Sequence, residues 1–330
     1  MERQVLGRTG RLVSVVGLGT WQLGGDWGDV SDDDSRAVLE AALDAGVTFF
    51  DTADVYGDGR SEQAIGAFVK DHADAGITVA TKMGRRVDQV PENYSLASFR
   101  EWTDRSRRNL GVDTIDLVQL HCPPTPVYSS AEVYDALDTL VAEGVMTSYG
   151  VSVETTAEAL EAISHPGVAS VQIILNAFRL KPLEEVLPAA SAAGVGIIAR
   201  VPLASGLLSG RYTKDTTFAE SDHRSYNRHG EAFDVGETFS GVDFETGVTA
   251  AAEFSALAEA LPGDLTPAQA ALAWVWQQPG VSTVIPGARN PEQARLNAAA
   301  GSAPALGPLF TSEVRDLYDR YFREAVHSRW

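Results

Sequence analysis

Residues 47–82 read VTFFDTADVYGDGRSEQAIGAFVKDHADAGITVATK, and this stretch sets a pattern that the rest of the chain repeats. A short apolar run at 47–52 ends in polar residues, an amphipathic stretch follows at 61–74, and a second β-branched run occupies 77–82. Short apolar runs predict buried strands, and the longer amphipathic stretch between them predicts a helix. The stretch is therefore interpreted as a βαβ unit of a parallel sheet.

The same alternation occurs eight times along the 330 residues. The predicted strands are 13–19, 47–52, 77–82, 115–120, 148–153, 170–176, 195–201 and 281–286. Helical patterns follow Ser31 and occupy 61–74, 95–110, 131–143, 155–164, 184–193, 266–278 and 291–300. Eight such units predict an α/β fold, a closed (β/α)8 TIM barrel, whereas a doubly wound sheet usually has fewer strands and a GxGxxG motif after a strand. Residues 1–330 are read as one domain.

Three segments depart from the regular alternation. The opening VLGRTGRLVS places Arg8-Thr9-Gly10 between apolar patches, which predicts a small N-terminal hairpin near the barrel floor. An insertion after strand seven covers the polar residues 211–243 and a helical pattern at 244–261. The amphipathic tail TSEVRDLYDRYFREAV is expected to pack outside the barrel.

Composition excludes several classes of function. The 45 acidic and 26 basic residues give a net charge of -19, which disfavours nucleic acid and anionic membranes as partners. One cysteine, Cys122, leaves no disulfide framework, and no CxxC or HExxH pattern indicates a metal site. Neither a signal core nor a run of about 18 apolar residues occurs. The protein is therefore expected to be cytoplasmic.

Polar residues suited to catalysis lie at the ends of three successive strands. Asp51 ends the second strand and Tyr56 follows in its loop; Lys82 ends the third strand and His121 the fourth. Consecutive barrel strands are neighbours, and active sites of this fold form at the carboxyl ends of the strands. The four side chains are therefore expected to converge.

Each of these residues also has a structural interpretation. Asp51 could cap a loop, Tyr56 could pack within one, and Lys82 could form a surface ion pair. Lys82 is one of only four lysines in the chain, however, and it falls at a strand end. The joint occurrence of four such residues at neighbouring strand ends favours a catalytic site.

These motifs resemble the aldo-keto reductase family, in particular its bacterial branch close to potassium-channel β-subunit-like proteins. The resemblance extends over nearly the whole chain, in the segments GLGTW (17–21), FDTADVYGDGRSE (50–62), TK (81–82), QLH (119–121), GVSV (150–153), PLASGLLSG (202–210) and IPGARNPEQ (285–293). It implies reduction of a carbonyl by hydride from NADPH, with NADH possible, because no side chain supplies a hydride.

The resemblance assigns a role to each of the four residues. Tyr56 would donate the proton to the carbonyl oxygen, and His121 would orient or polarise that carbonyl. A free phenol has a pKa of about 10, and a nearby ammonium lowers it. Lys82 is expected to supply that charge, and Asp51 to hold Lys82.

The resemblance also implies contacts with the nicotinamide half of the cofactor. Ser152 and Gln172 match positions expected to bind the carboxamide, whereas the usual Asn after the serine is replaced by Val153, with Asn176 as a possible polar neighbour. Arg200 stands where an aromatic residue usually stacks on the nicotinamide, and a guanidinium can also stack. A loop approaching the pyrophosphate contains Pro202, Leu203, Ser205, Gly206 and Leu207.

The adenosine half is expected at the loop after strand eight. Gly287 and Arg289 lead into a helix, where the helix N-terminus favours phosphate and Arg289 would pair with an adenosine 2′-phosphate. Gln293 and Asn297 lie on one face of that helix and could meet the adenine, although a solvated helix face is the alternative. These features favour NADP over NAD.

The substrate pocket is less constrained by the sequence. Trp21 is expected to form one wall, with Trp27 a weaker candidate, and packing is the competing role for both. The substrate is expected to be a small carbonyl compound. His72, His165, His223, His229 and His327 are expected to be solvated, with a reservation for the two in the insertion, and Cys122 is expected to pack.

Two other functions remain open at this point. A nucleotide-binding module resembling channel β-subunits could report redox state to a partner without turnover. A Schiff-base aldolase could use Lys82 as its nucleophile. Physiological substrate and oligomeric state are not encoded in any motif of the chain.

Overall fold

The parallel strands form one eight-stranded sheet in chain order. The computed structural model describes residues 1–24, 31–220, 222–232 and 235–330. A two-stranded antiparallel sheet precedes the parallel one. The strands are β1 (Arg3–Val5), β2 (Leu12–Ser14), β3 (Leu18–Gly19), β4 (Phe49–Asp51), β5 (Thr78–Met83), β6 (Ile115–His121), β7 (Met146–Ser152), β8 (Val168–Ile174), β9 (Gly196–Arg200) and β10 (Val281–Val284).

The sheet closes between its first and last strands. Parallel bridges join Val16 to Val284 and Gly19 to Gly287, and the Gly17 amide donates to the Val284 carbonyl at 2.8 Å. Closure of parallel strands in chain order puts all their carboxyl ends at one mouth. The predicted (β/α)8 barrel is confirmed, with its eight strands in the predicted order.

Helices alternate with the strands, and side-chain caps fix where many of them begin. Ser31, Ser95, Ser130 and Thr155 each accept a hydrogen bond from a first-turn amide. Within the described residues the helices are α1 (Asp32–Asp44), α2 (Arg60–Asp71), α3 (Leu96–Leu110), α4 (Ala131–Ala142), α5 (Thr156–Ile163), α6 (Lys181–Glu184), α7 (Val186–Ala193), α8 (His223–Tyr226), α9 (Phe244–Glu259), α10 (Pro267–Trp276), α11 (Pro291–Ala299), α12 (Gly307–Tyr321) and α13 (Arg323–Val326). None of them is both long and apolar enough to cross a membrane.

The first predicted strand is wrong in its extent. Residues 13–19 were expected to form one barrel strand, but the structure divides them between two sheets. Val13 pairs with Gln4 of β1 in the hairpin, whereas the barrel strand β3 contains only Leu18 and Gly19. An apolar run has the same pattern whether its backbone pairs with one sheet or with two, so the division leaves no trace in hydrophobicity.

The N-terminal hairpin lies against the floor of the barrel, as predicted. Leu6 and Val13 are fully buried in a cluster with the inward-facing Phe49, Leu117 and Ile198. The backbone approaches so closely here that a Cβ on Gly7, at φ +46°, would lie 2.1 Å from the amide nitrogen of Gly196. The hairpin therefore packs into the end opposite the mouth.

The insertion after β9 lies at the mouth. Its helix α9 confirms the predicted helical pattern at 244–261. Tyr212, Phe218 and Phe239 of its other part form an aromatic cluster with Phe244 of α9. This apolar packing gives the insertion an internal core, which fixes the polar side chains that it presents to the barrel.

Candidate functional site

A cavity of about 940 Å³ opens at the carboxyl ends of the strands. Its wall includes residues from most of the βα loops, the insertion and the start of α11. Among the described residues, the wall carries two carboxylates, of Asp51 and Glu237, and a larger group of arginines, which are Arg85, Arg200, Arg211, Arg224 and Arg289. The mouth of this acidic protein is therefore locally basic.

Asp51 and Lys82 form a buried ion pair at the inner end of the cavity. Asp51 ends β4 and Lys82 lies in the neighbouring β5, and both are almost fully buried. Lys82 Nζ donates to Asp51 Oδ1 and, at 2.9 Å, to the Thr52 carbonyl. Burial alone would lower the pKa of Lys82, but the charge of Asp51 and the Tyr56 hydroxyl raise it above its usual value. Lys82 is therefore an ammonium.

Tyr56 is brought to this ammonium by a tight turn. The turn needs left-handed backbone at Gly57, where a Cβ would lie 2.0 Å from the Gly24 carbonyl oxygen. Lys82 Nζ lies 3.5 Å from the Tyr56 hydroxyl. The expected net lowering of the Tyr56 pKa is wrong: burial raises it above its ordinary value, and the opposing charge of Lys82 only reduces the rise. Tyr56 is a neutral phenol that holds its proton.

His121 completes the predicted group of four. It ends β6, and its ring meets the Tyr56 ring edge to face, with centroids 6.0 Å apart. Burial lowers the pKa of His121 well below its usual value, and the nearby charges of Arg85, Lys82 and Arg200 lower it further. The imidazole is therefore neutral at physiological pH, and the four predicted side chains do converge.

Two glutamines donate hydrogen bonds to the second oxygen of Asp51. Its Oδ2 accepts hydrogen bonds from Gln119 Nε2 at 3.1 Å and Gln172 Nε2 at 2.8 Å. Gln119 was missed from the sequence, although the period-two rule places it on the same face of β6 as His121. Gln172 was expected at the nicotinamide; its amide nitrogen is engaged by Asp51. Both oxygens of Asp51 are thus held, which fixes the direction of the carboxylate.

Ser152 lies at the cavity wall, as expected. Its hydroxyl accepts from Cys122 Sγ at 3.4 Å, and Cys122 is buried, in agreement with a packing role. Asn176 does not provide the polar neighbour proposed for Val153. Its Nδ2 donates to the Val201 carbonyl at 2.9 Å, and its Oδ1 accepts from the Phe178 amide at 2.8 Å. Both polar ends of the side chain are thus bonded to backbone groups, and Asn176 does not line the cavity.

Arg200 lies beside Val153 instead. Its Nη2 donates to the Val153 carbonyl at 3.1 Å, and its Nη1 forms an ion pair with Glu237 of the insertion. Glu237 was not identified from the sequence, because nothing in a polar segment indicates which residue folds back over 37 positions. The positive charge of Arg200 is compensated before any cofactor binds.

The loop after β9 lines the cavity with most of its predicted residues. Pro202, Leu203, Ser205 and Gly206 are on the wall, and Ser205 and Gly206 have left-handed backbone at φ 56° and 97°. Leu207 is the exception, since it is fully buried in the core, where it packs beneath Gly247 of α9. Its side chain is therefore part of the support of the loop and not of the wall.

The predicted adenosine residues gather at the far end of the cavity. Gly287, Arg289, Gln293 and Asn297 all line it. Gln293 Oε1 accepts from the Arg289 amide at 2.8 Å, and Asn297 Nδ2 donates to the Gly287 carbonyl at 3.1 Å. These bonds fix the loop into α11, and the side chain of Arg289 is 46% exposed. The guanidinium is thus accessible to a ligand.

The insertion adds a carboxylate that was not foreseen. Asp222 accepts from Arg224 Nε at 2.8 Å, and its Oδ2 lies 3.8 Å from Arg289 Nη2. Two arginines from different elements thus surround one carboxylate at the end of the cavity next to α11.

Trp21 forms part of the wall near Tyr56, as expected, with ring centroids 6.3 Å apart. Trp21 also packs against His223, with ring centroids 5.5 Å apart. The prediction that His223 is solvated is wrong, because the insertion buries it against Trp21, and burial lowers its pKa to about 4. Trp27 lies outside the described residues. His229 is exposed, as predicted.

Arg85 was also missed from the sequence. It follows β5, its Nε donates to the His121 carbonyl at 3.1 Å, and its Nη2 pairs with Glu154 Oε1 at 3.1 Å. Its guanidinium is therefore held next to His121.

Comparison with known proteins adds an independent observation. A profile of the Aldo/keto reductase family matches residues 15–318. The chain is 29% identical over 297 residues to Aldo-keto reductase YhdN of Bacillus subtilis (strain 168), covering 89% of this chain and 86% of that protein. It is 31% identical over 337 residues to a probable voltage-gated potassium channel subunit beta of Oryza sativa subsp. japonica, covering 96% and 95%. The solved glycerol dehydrogenase AKR11B4 from Gluconobacter oxydans superimposes with a TM-score of 0.77 at 30% identity, covering 94% and 93%.

Proposed function

Because the chain belongs to the aldo/keto reductase family, we propose that this oxidoreductase reduces an aldehyde or ketone to an alcohol at the expense of NADPH. The observation that carries the proposal is the convergence of Tyr56, Lys82, Asp51 and His121 in one cavity. The Tyr56 hydroxyl lies 3.5 Å from a buried ammonium, and a neutral imidazole stands against its ring.

The cavity fits a dinucleotide along its length. Its wall runs from Ser152, Gln172 and Arg200 near the catalytic residues, through the loop 202–206, to Arg289 and Gln293. Small residues on that loop leave its backbone accessible, and Arg289 together with the start of α11 suits a phosphate. Ser152 and Gln172 would hold the nicotinamide half, and Arg289 the adenosine 2′-phosphate. The cofactor would supply the hydride to the carbonyl carbon.

The remaining chemistry belongs to the side chains. Tyr56 holds its proton at neutral pH and would transfer it to the carbonyl oxygen as negative charge develops there. Lys82 would stabilise the phenolate that remains, because its ammonium is fixed by Asp51. His121 is neutral, so it would polarise or orient the carbonyl by a hydrogen bond rather than as a cation. The proton from Tyr56 and the hydride together complete the reduction.

Replacing Tyr56 by Phe tests this assignment. The variant Tyr56→Phe removes the proton donor and keeps the ring that packs against Trp21 and His121. We expect kcat for aldehyde reduction to fall by a factor of about 10² to 10⁴, with the dissociation constant for NADPH changed little. Steady-state kinetics with a panel of aldehydes and ketones, and a fluorescence titration with NADPH, measure the two effects.

Tyr134→Phe is a matched control, because Tyr134 is buried outside the cavity wall and its hydroxyl has no hydrogen-bond partner among the described residues. A Tyr56→Phe variant that retains wild-type kcat would refute the role of Tyr56, whichever cofactor binds.

The similarity to a probable potassium channel β-subunit suggests a second candidate function, which is that of a nucleotide-binding module without significant turnover. The same kinetics distinguish the two, since the module would bind NADPH and reduce no carbonyl in the panel. The geometry disfavours a Schiff-base aldolase, because Lys82 is a buried, ion-paired ammonium and a nucleophilic lysine must be neutral.

A further inference from the structure

Among the described residues, three cations lie in or next to the end of the cavity where Tyr56 and His121 are found, and their partners differ in burial. Lys82 pairs with Asp51, whose side chain is 3% exposed, and Arg200 pairs with Glu237, which is 20% exposed. Glu154, the partner of Arg85, is 36% exposed and does not belong to the cavity wall. Water screens an exposed ion pair far more than a buried one. Of the three cations, Arg85 is therefore the least compensated by its own partner.

Arg85 has hydrogen-bonding capacity that its contacts do not use. A guanidinium carries five N–H donors in a fixed planar fork. In the described part of the chain, its Nε donates to the His121 carbonyl and its Nη2 donates to Glu154 Oε1. The side chain is 29% exposed and forms part of the cavity wall together with Tyr56 and His121. Donors of Arg85 thus remain for a ligand at the place where the carbonyl is expected.

The position of Arg85 is fixed by two strands. The hydrogen bond to the His121 carbonyl ties it to the end of β6, and the ion pair with Glu154 ties it to the loop after β7. A guanidinium held in this way loses little conformational entropy when it binds a carboxylate, which it can meet with two parallel hydrogen bonds. A neutral carbonyl substrate can accept a single hydrogen bond from Arg85, but it has no carboxylate for the paired, charge-assisted contact.

On these grounds we propose that Arg85 is a specificity-determining residue and that the preferred substrates are carbonyl compounds bearing a carboxylate, such as oxo acids. The proposal rests on the carbonyl reduction inferred above. The carboxylate of the substrate pairs with Arg85 while its carbonyl oxygen lies between Tyr56 and His121. The reaction is unchanged: hydride adds to the carbonyl carbon and Tyr56 supplies the proton. The carboxylate contributes to binding, and none of its bonds forms or breaks.

The test compares oxo acids with their methyl esters, which keep the carbon chain and remove the charge. The probes are glyoxylate, 4-oxobutanoate and 4-carboxybenzaldehyde, each with its ester, so that three distances between carbonyl and carboxylate are sampled. We expect wild-type kcat/KM to be higher for the acid by at least about tenfold in one or more pairs, mainly through KM. This preference should decrease as ionic strength rises, because a partly exposed charge is screened.

Substitution at Arg85 supplies the second half of the test. Arg85→Gln should bring the acid-to-ester ratio of kcat/KM close to one, because it raises KM for the acid more than KM for the ester, and Arg85→Lys should retain part of the preference. Arg100→Gln is the matched control, because Arg100 pairs with the exposed Glu143 away from the cavity. It removes the same charge and should keep the preference.

The outcomes separate this inference from the proposed function. If esters are reduced as well as acids in every pair by the wild type, or if the preference survives in Arg85→Gln, the assignment of Arg85 is wrong and carbonyl reduction stands. If neither acids nor esters are reduced while NADPH binds, carbonyl reduction is wrong, and the assignment fails with it.

Discussion

At the scale of single residues, one buried carboxyl is held in an unfavourable environment beside the turn that contains Tyr56. Asp54 lies between β4 and Tyr56 and is 1% exposed. Neither of its carboxyl oxygens has a hydrogen-bond partner among the described residues. Burial, followed by the negative charge of Glu62, raises the pKa of Asp54 to about 7, although Arg86 and Arg105 oppose the rise. Between about pH 4 and pH 7 the native protein therefore holds a proton on Asp54 that the unfolded chain releases.

This proton makes stability depend on pH. The ordinary pKa of an aspartate is about 3.9, so the folded state binds the proton more tightly than the unfolded chain does. The contribution to stability is lost as pH rises from about 4 to about 7.

We expect Asp54→Asn to remove this dependence of stability on pH and to raise the free energy of unfolding at pH 8 by about 2 to 4 kcal/mol. Urea unfolding at pH 5 and pH 8 gives the free energy of unfolding at each pH for the wild type and the variant. Asp74→Asn, at an exposed carboxylate, is the control, and an unchanged slope in Asp54→Asn would contradict the assignment.

The residues that the sequence predicted share a physical property. Asp51, Lys82 and His121 each end a buried strand, and the end of a parallel strand has a known location once the strand is recognised. The residues that it missed are fixed by long-range contacts instead. Glu237 meets Arg200 and Asp222 approaches Arg289 only because the insertion folds back over the mouth. Gln119 is the exception, since alternation along β6 was sufficient to find it.

At the scale of elements, the proposed adenosine site is shared between α11 and the insertion. Arg289 precedes α11, and Asp222 caps the short helix α8 of the insertion. Asp222 Oδ2 lies 3.8 Å from Arg289 Nη2. A 2′-phosphate would have to compete with this carboxylate for the guanidinium. Cofactor selectivity is thus expected to depend on both elements together.

Arg289→Ala tests the contribution of α11. Because an arginine can meet a phosphate with charge-assisted hydrogen bonds, we expect the dissociation constant of NADPH to rise about 10- to 100-fold, and that of NADH less than about threefold. Fluorescence titration with each nucleotide gives both constants. Arg295→Ala, at an exposed position of the same helix away from the cavity wall, should change neither. Equal losses for NADPH and NADH in Arg289→Ala would exclude a 2′-phosphate contact.

At the scale of the whole molecule, the floor of the barrel depends on the N-terminal hairpin. Leu6 is fully buried against the inward-facing residues of the barrel, and Leu12 of the same hairpin is 54% exposed. We expect Leu6→Ala to lower the free energy of unfolding by about 2 to 4 kcal/mol because it leaves a cavity, and Leu12→Ala by less than about 0.5 kcal/mol. Chemical unfolding of both variants provides the comparison. Equal effects would show that the hairpin does not support the barrel.

The overall architecture was the most predictable part of the molecule, because eight βα units in order allow few topologies. The extent of the first strand was not predictable, since β2 and β3 divide a continuous apolar run between two sheets. Hydrophobic periodicity reports which side chains are buried, and it does not report which backbone receives their hydrogen bonds.

The join between the two ends of the sheet has a consequence for biosynthesis. The residues that close the barrel, Val15 to Gly19 and Val284 to Gly287, are separated by most of the chain. Chains emerge from the ribosome N-terminus first, so strands β3 to β9 are complete while β10, which closes the sheet against β3, is still untranslated. Until residues 281–287 appear, a nascent chain has two unpaired parallel edges, which are templates for association with other chains. The interval before closure is therefore when the nascent protein most needs protection by chaperones.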